Sequence, residues 1–177
     1  MGQFELKIYP DPCLRIKTKP VERFTGEIKD ILRSMSDIMY RSRGIGLASP
    51  QIGVGLSILV VDIGEGLLNF INPVILEGSA ERSKFDEGCL SIPGVTVNVK
   101  RPEKIKVRAQ NENGDFFIRE FDGLPARALQ HEIDHLRGRL IIDYLDPVRR
   151  FIVLKRKSTK KRGQKEITCE VTCNVKR

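Results

Sequence analysis

The chain has 177 residues, 40% of them hydrophobic and 31% charged, with 31 Lys and Arg against 23 Asp and Glu for a net charge of +8. That length holds one domain with an ordinary core rather than two full ones, and no apolar run approaches the ~20 residues that a membrane span needs. Nine of the basic residues lie between Arg149 and Lys165 with no acid among them, so the body of the chain is near neutral and the basic character belongs to the tail.

The first residues, Met1 to Tyr9, alternate polar and apolar side chains and contain no signal-peptide hydrophobic stretch. Leu6 stands where an N-myristoylation signal has Ser or Thr. The expected location is cytoplasmic, without a membrane partner. There Cys13, Cys89, Cys169 and Cys173 are expected as thiols rather than disulfides. Tyr9-Pro10-Asp11-Pro12 and Lys19-Pro20 keep the opening extended or turned, because proline restricts its predecessor as well as itself.

From Thr25 the pattern becomes helical. Ile28, Ile31, Leu32, Met35, Ile38 and Met39 recur at three- and four-residue spacing, a core-facing stripe, with Thr25 as N-cap and Gly44 as stop. Gly44 to Gly55 is rich in small residues and leads into a β-branched strand, Ser57 to Val61. A strand over Ile71 to Leu76 contains Pro73, which places it at a sheet edge. Thr96 to Lys100 and Lys104 to Gln110 alternate as half-buried strands, and Asn113-Gly114 turns the chain into Asp115 to Phe121 as a hairpin. A second helix begins at Leu124-Pro125 and ends at Gly138. A third begins near Pro147 and runs into the basic stretch. Ile167, Cys169, Val171, Cys173 and Val175 occupy every second position, the pattern of a terminal strand.

The second helix carries the chemistry. His131-Glu132-Ile133-Asp134-His135 is a two-histidine helical metal motif. At about 100° per residue, His131 and His135 share a face with Leu124 and Ala128, and Glu132 borders Leu136, Leu129 and Ile133. Arg127, Gln130, Asp134 and Arg137 fill the remaining, wetter arc. Two imidazoles and a carboxylate on the buried side are costly without partners, and a divalent ion turns that cost into binding energy. The bland alternative is a helix with two surface histidines. A catalytic ion takes three protein ligands and keeps one position open. The third ligand is Cys89, in Glu87-Gly88-Cys89-Leu90-Ser91 where Gly88 allows close backbone approach, or Asp143 or Asp146, which equally suit a helix cap.

Three motifs in order resemble the peptide deformylase family: Gly44-Ile45-Gly46-Leu47-Ala48-Ser49-Pro50-Gln51, Glu87-Gly88-Cys89-Leu90-Ser91, and Gln130-His131-Glu132-Ile133-Asp134-His135-Leu136-Arg137-Gly138. Tyr9-Pro10-Asp11-Pro12 with Leu14-Arg15 is similar to the family's opening, and the likeness spans roughly residues 4 to 155. The resemblance implies Cys89, His131 and His135 as metal ligands and Glu132 as the acid/base. It also implies that the Gln51 amide and the Leu90 N–H meet the substrate oxygen. The implied reaction removes the formyl group from N-terminal formyl-methionine of new polypeptides, with Fe(II) as the favoured ion and Zn, Ni or Co as substitutes. A thiolate with two imidazoles suits such ions better than magnesium or calcium. Ser49 stands where the family usually has Ala, so its hydroxyl needs a partner.

The expected fold is α+β, with short, mainly antiparallel strands packed around the metal-binding helix. Residues 1–147 form the catalytic unit and 148–177 a basic helix and tail ending in a strand. Gly44, Ile45, Gly46, Gly88, Leu124 and Ala128 are the expected substrate contacts. An extended peptide is expected to pair with the 44–46 segment and the strand after Ile92-Pro93-Gly94, and the basic tail to dock on ribosomal RNA. Two other readings remain at this level. A zinc peptidase sharing only the two-histidine helix would cleave internal peptide bonds and need no Cys89. A ribosome-associated protein with a structural ion would have a fourth protein ligand and no hydrolase activity.

Overall fold

The computed structural model describes residues 4–160. The alternating segment with Cys169 and Cys173, and the basic residues Lys161, Arg162 and Lys165, lie outside the described residues. Helix α1 (Gly26–Arg41) precedes strands β1 (Gly46–Ala48), β2 (Ile58–Val61), β3 (Leu68–Gly78), β4 (Arg82–Gly88), β5 (Thr96–Pro102), β6 (Lys104–Gln110) and β7 (Phe116–Asp122). Helices α2 (Gly123–Leu136) and α3 (Pro147–Lys160) follow, and short 3₁₀ turns cover Pro12–Arg15, Ser49–Ile52 and Ile141–Tyr144. Every pairing between named strands is antiparallel, in a five-stranded sheet ordered β1-β2-β3-β6-β7 and a separate β4-β5 hairpin. The α+β expectation holds.

The layers follow from where apolar side chains go. The six stripe residues of α1 are all buried and pack with Leu47, Ile58, Val60 and Ile71 on one face of the large sheet. Leu59, Val61, Phe70, Ile105 and Val107 face the other way, onto Ala126, Leu129 and Ile133 of α2. The unbroken run Ile58–Val61 is therefore buried on both faces. A third cluster joins β5 through Val97 and Val99 to Leu14, Ile92 and Leu140–Ile142. Helix α2 thus lies between the large sheet and the hairpin, and residues 126–136 are buried all round.

Two expectations about elements need correcting, and one strand goes unannounced. The strand containing Pro73 is not at an edge, because β3 pairs with β2 on one side and β6 on the other. Proline is tolerated there because the register shifts between Ile71 and Val74, lifting Asn72 and Pro73 out of the ladder. Asn72 takes φ 52, a left-handed conformation that Asn adopts more readily than most residues. Its amide bonds both backbone groups of Val21 and the Gln110 side chain. Helix α1 ends at Arg41 rather than at Gly44, since Arg43 itself takes the left-handed turn (φ 54). Thr25 holds the N-cap position without a side-chain cap bond. Residues 82–88, for which the sequence predicts no element, form strand β4. Their sequence, Arg-Ser-Lys-Phe-Asp-Glu-Gly, has too little apolar alternation to announce a strand.

Candidate metal centre

Glycine and proline frame α2 without kinking it: Gly123 takes φ 54 at its start, Pro125 sits in the first turn, and Gly138 takes φ 72 after its end. One turn of this helix separates His131 from His135, and their ring centroids lie 5.1 Å apart. Cys89 follows the end of β4, which brings its Sγ to 3.2 Å from His135 Nε2. One donor atom from each of Cys89, His131 and His135 lies within 4.8 Å of the others. This is the three-ligand grouping anticipated from the motifs. A thiolate with two imidazoles fits a borderline-soft divalent ion with one position left for solvent.

The environment distinguishes the two imidazoles. Burial, helped by the neighbouring His131, holds the proton affinity of His135 well below the ordinary histidine value, so its ring is neutral and able to ligate. Burial works the same way on His131, but its hydrogen bonds to Cys89 and Glu87 outweigh it and raise the pKa of that ring well above the usual value. His131 Nδ1 lies 3.1 Å from Glu87 Oε2, leaving Nε2 to face the cluster. A carboxylate behind a ligating histidine fixes its tautomer and ring orientation.

Glu87 belongs to a buried ionic cluster. Its carboxylate accepts a bidentate pair from Arg101 (2.7 and 3.0 Å) and a further bond from Arg127 (2.8 Å). Arg101 also donates to Asp134 (2.7 Å) and to the Tyr144 hydroxyl (3.0 Å), and Tyr144 donates to Asp134 (2.6 Å). Burial would push Glu87 up, yet the His131 and Arg101 hydrogen bonds hold it at about 2. Most of the arc of α2 expected to face water is therefore buried, with Arg127, Gln130 and Asp134 each exposed by less than a tenth, while Arg137 is exposed as expected. The β4-β5 hairpin covers that arc and supplies its partners, which no pattern within α2 could announce. Glu87 stood inside a quoted motif without a role, and Arg101 and Tyr144 had no local signal at all.

Glu132 points elsewhere. It is 5% exposed, its Oε2 has no hydrogen-bond partner among the described residues, and burial lifts it to about 7 against the pull of His131. Strand β1 passes so close that a Cβ on Gly46 would sit 2.7 Å from Glu132 Oε1, and one on Gly44 would sit 2.6 Å from Leu90 Cδ1. A side chain at either glycine would therefore push Leu90 or Glu132 aside. Gly88 differs, since a Cβ there would meet no protein atom within 4 Å. Gln51, 1% exposed, accepts from Ala48 N (2.7 Å), which aims its Nε2 at Ser91 Oγ (3.2 Å) and Cys89 Sγ (3.8 Å). Leu90 follows Cys89 directly. Ile45 and Leu124 are partly exposed, at 37% and 43%, while Ala128 is buried. The buried Ser49 hydroxyl donates to the Leu56 carbonyl, which satisfies the one departure from the first motif.

The acidic alternatives for the third ligand do other work. Asp143 pairs with Arg15 and Arg150 and accepts from Leu140 N. Asp146 accepts from Arg149 N (2.9 Å) at the start of α3, the capping role weighed for it.

The chain is similar to known proteins over most of its length. The family described as polypeptide deformylase matches residues 4–151. A peptide deformylase of Desulfitobacterium hafniense is 49% identical over 143 residues, covering 81% of this chain and 95% of the relative. One from Thermotoga neapolitana is 43% identical over 153 residues, covering 86% and 93%. Among solved structures, a peptide deformylase from Legionella pneumophila superposes with a TM-score of 0.85 at 38% identity, covering 93% of this chain and all of that one.

Proposed function

The chain belongs to the polypeptide deformylase family, and from that premise we propose that it removes the formyl group from N-terminal formyl-methionine of new polypeptides, using one divalent ion held by Cys89, His131 and His135. The observation that carries the assignment of ligands is the convergence of a β4-end thiol and two α2 imidazoles within 4.8 Å.

When bound, the ion supplies the Lewis acidity that makes water a nucleophile near neutral pH. Fe(II) is the proposed native ion, with Zn, Ni or Co as substitutes, in keeping with the mixed sulfur and nitrogen donors. Glu132 takes the proton of the attacking water and returns it to the leaving amine. An acid/base of this kind works best with a pKa near the operating pH, and burial sets Glu132 at about 7. The Gln51 amide and the Leu90 N–H are the proposed donors to the oxyanion, where a donor fixed before reaction is typically worth about 3 kcal/mol.

The substrate enters as an extended strand. β1 is the terminal strand in the sheet order, and the peptide backbone pairs along it and the Gly44–Ile45 segment that leads into it. The segment after Ile92-Pro93-Gly94 forms the other side. The exposed Gly88, with open space where a side chain would stand, leaves room for the peptide, and Leu124 and Ala128 line the approach for the methionine side chain. Backbone pairing accepts many sequences, whereas the apolar approach selects the first residue.

Residues 1–147 are proposed as the catalytic unit, and α3 onward as a basic arm that docks the enzyme on the ribosome. Helix α3 presents Arg149 and Lys155 beside the exposed Val148, Phe151 and Ile152. Truncation after Lys155 should weaken ribosome binding and flatten its salt dependence; salt-independent, unchanged binding would end this part of the proposal. Among the described residues no helix is long and apolar enough to cross a membrane, and the proposed location is the cytoplasm.

The decisive experiment measures metal content and turnover of a formyl-methionyl peptide without oxygen, with an N-acetylated peptide of the same sequence as control. Release of formate in proportion to bound metal is expected. Cleavage of internal peptide bonds instead, or full activity in Cys89→Ser, would overturn the reading.

A further inference from the structure

We propose that Arg127 is a positioning residue for the metal centre, acting through Glu87 and the β4-β5 hairpin without touching metal or substrate. The inference rests on the assignment of Cys89, His131 and His135 as ligands. Arg127 is 7% exposed and lies one helical turn before His131. Its Nη1 donates to Glu87 Oε1 (2.8 Å) and to the Val99 carbonyl (3.1 Å). Its Nη2 donates to the Ser83 carbonyl (3.0 Å) and hydroxyl (2.8 Å). All four acceptors belong to the hairpin, so this one side chain reaches from α2 to both β4 and β5.

The arrangement explains how ligands from two layers are kept in register. Arg101 and Glu87 are both hairpin residues, and their bidentate pair does not by itself locate the helix. Arg127, His131 and Asp134 occupy helical positions i, i+4 and i+7 and form one stripe facing the hairpin. His131 is therefore bracketed along α2, by Arg127 on Glu87 one turn before it and by Asp134 on Arg101 after it. Glu87 Oε1 takes the Arg127 bond while Oε2 faces His131 Nδ1, two residues ahead of Cys89. The cluster also balances, with Arg101 and Arg127 against Glu87 and Asp134. A lysine in place of Arg127 keeps the charge but has no planar fork to span Glu87, Val99 and Ser83 together.

Cobalt-loaded protein provides the test, because a thiolate-to-cobalt absorption band reports the ligand geometry directly. Arg127→Met should weaken cobalt affinity about 10- to 100-fold, the usual effect of losing a partner behind the ligands. It should also shift the cobalt bands and lower kcat while leaving KM for a formyl-methionyl peptide within about twofold. Arg127→Lys should restore part of the affinity. If Arg127→Met does not fold, Arg127→Lys is judged alone, with an affinity loss of at least about threefold expected. A folded variant with lowered thermal stability but unchanged cobalt affinity and spectrum overturns the proposal, as does a rise in KM at constant kcat. Wild-type protein that binds cobalt without a sulfur charge-transfer band overturns the ligand assignment as well.

Discussion

Glu132 and Gly46 show how tightly single residues constrain the site. Glu132 is buried beside two histidines with one oxygen lacking a partner among the described residues, and burial, with Glu87 and Asp134 nearby, lifts it to about 7 against the pull of His131 and Arg101. A carboxyl group in that state can both accept and donate a proton near neutrality. Glu132→Gln preserves the shape and removes the proton traffic, so turnover should fall by about 10²–10⁴-fold while bound metal, measured by elemental analysis, stays at the wild-type ratio. Undiminished turnover would remove Glu132 from the mechanism. Gly46 is tested differently. A methyl group there would sit 2.7 Å from Glu132 Oε1, so one of the two must move. Displacing a reacting group by about 1 Å can cost around 10²-fold, and Gly46→Ala should lose kcat of that order with its circular dichroism unchanged. The need for glycine was legible in the motif as a resemblance. Its physical reason was not, because the contact joins residues 86 positions apart.

At the level of elements, the β4-β5 hairpin is where reading the sequence failed most and where the site gains most of its order. Helix α1 and strands β5 and β6 declared themselves because each buries one face in its own period, and β7 through the Asn113-Gly114 turn before it. Strand β4 carries polar residues on both faces, since the face turned inward meets Arg127 rather than a hydrophobic core. Charged residues read as solvent-facing unless their partners are known, and here the partners lie on another element. Breaking a buried pair by removing one member costs about 3–5 kcal/mol, so Arg101→Met should lower the urea midpoint well beyond a surface change. The same cluster predicts a pH dependence. Folding depresses Glu87 from an ordinary 4.5 to about 2. Its contribution is therefore complete above about pH 4.5 and is lost as the pH falls toward 2, where the carboxylate takes up its proton in the folded state too. Urea midpoints measured from pH 6 to pH 3 should fall more steeply for wild type than for Glu87→Gln. Parallel curves would show that Glu87 does not set the acid limit.

Across the whole molecule the site joins layers that have little else in common. Helix α1 and the large sheet share one core, the sheet and α2 a second, and β5 with the segment around Leu140–Ile142 a third. The fold class was legible because each core draws on a periodic stripe. The order of the layers was not, because it depends on which charged arc of α2 the hairpin covers. Two of the three proposed ligands sit on α2 and the third at the end of β4, so a bound ion fastens the hairpin to the helix across a seam otherwise held by the Glu87 cluster. Binding confined to the folded state stabilises it by about 2.7 kcal/mol at a free-ion concentration 100 times Kd. For a chain of this size each kcal/mol moves the midpoint by roughly 2–4 °C. Anaerobic addition of Fe(II) or Co(II) to chelator-treated protein should then raise Tm by about 5–10 °C, and chelator should reverse it without unfolding the protein at 25 °C, because none of the three cores depends on the ion. Cys89→Ser keeps the hairpin and its ionic cluster but weakens the strap between the layers, so most of the shift should vanish in that variant. An equal shift in Cys89→Ser would place the stabilising ion elsewhere in the chain and separate the seam from the chemistry.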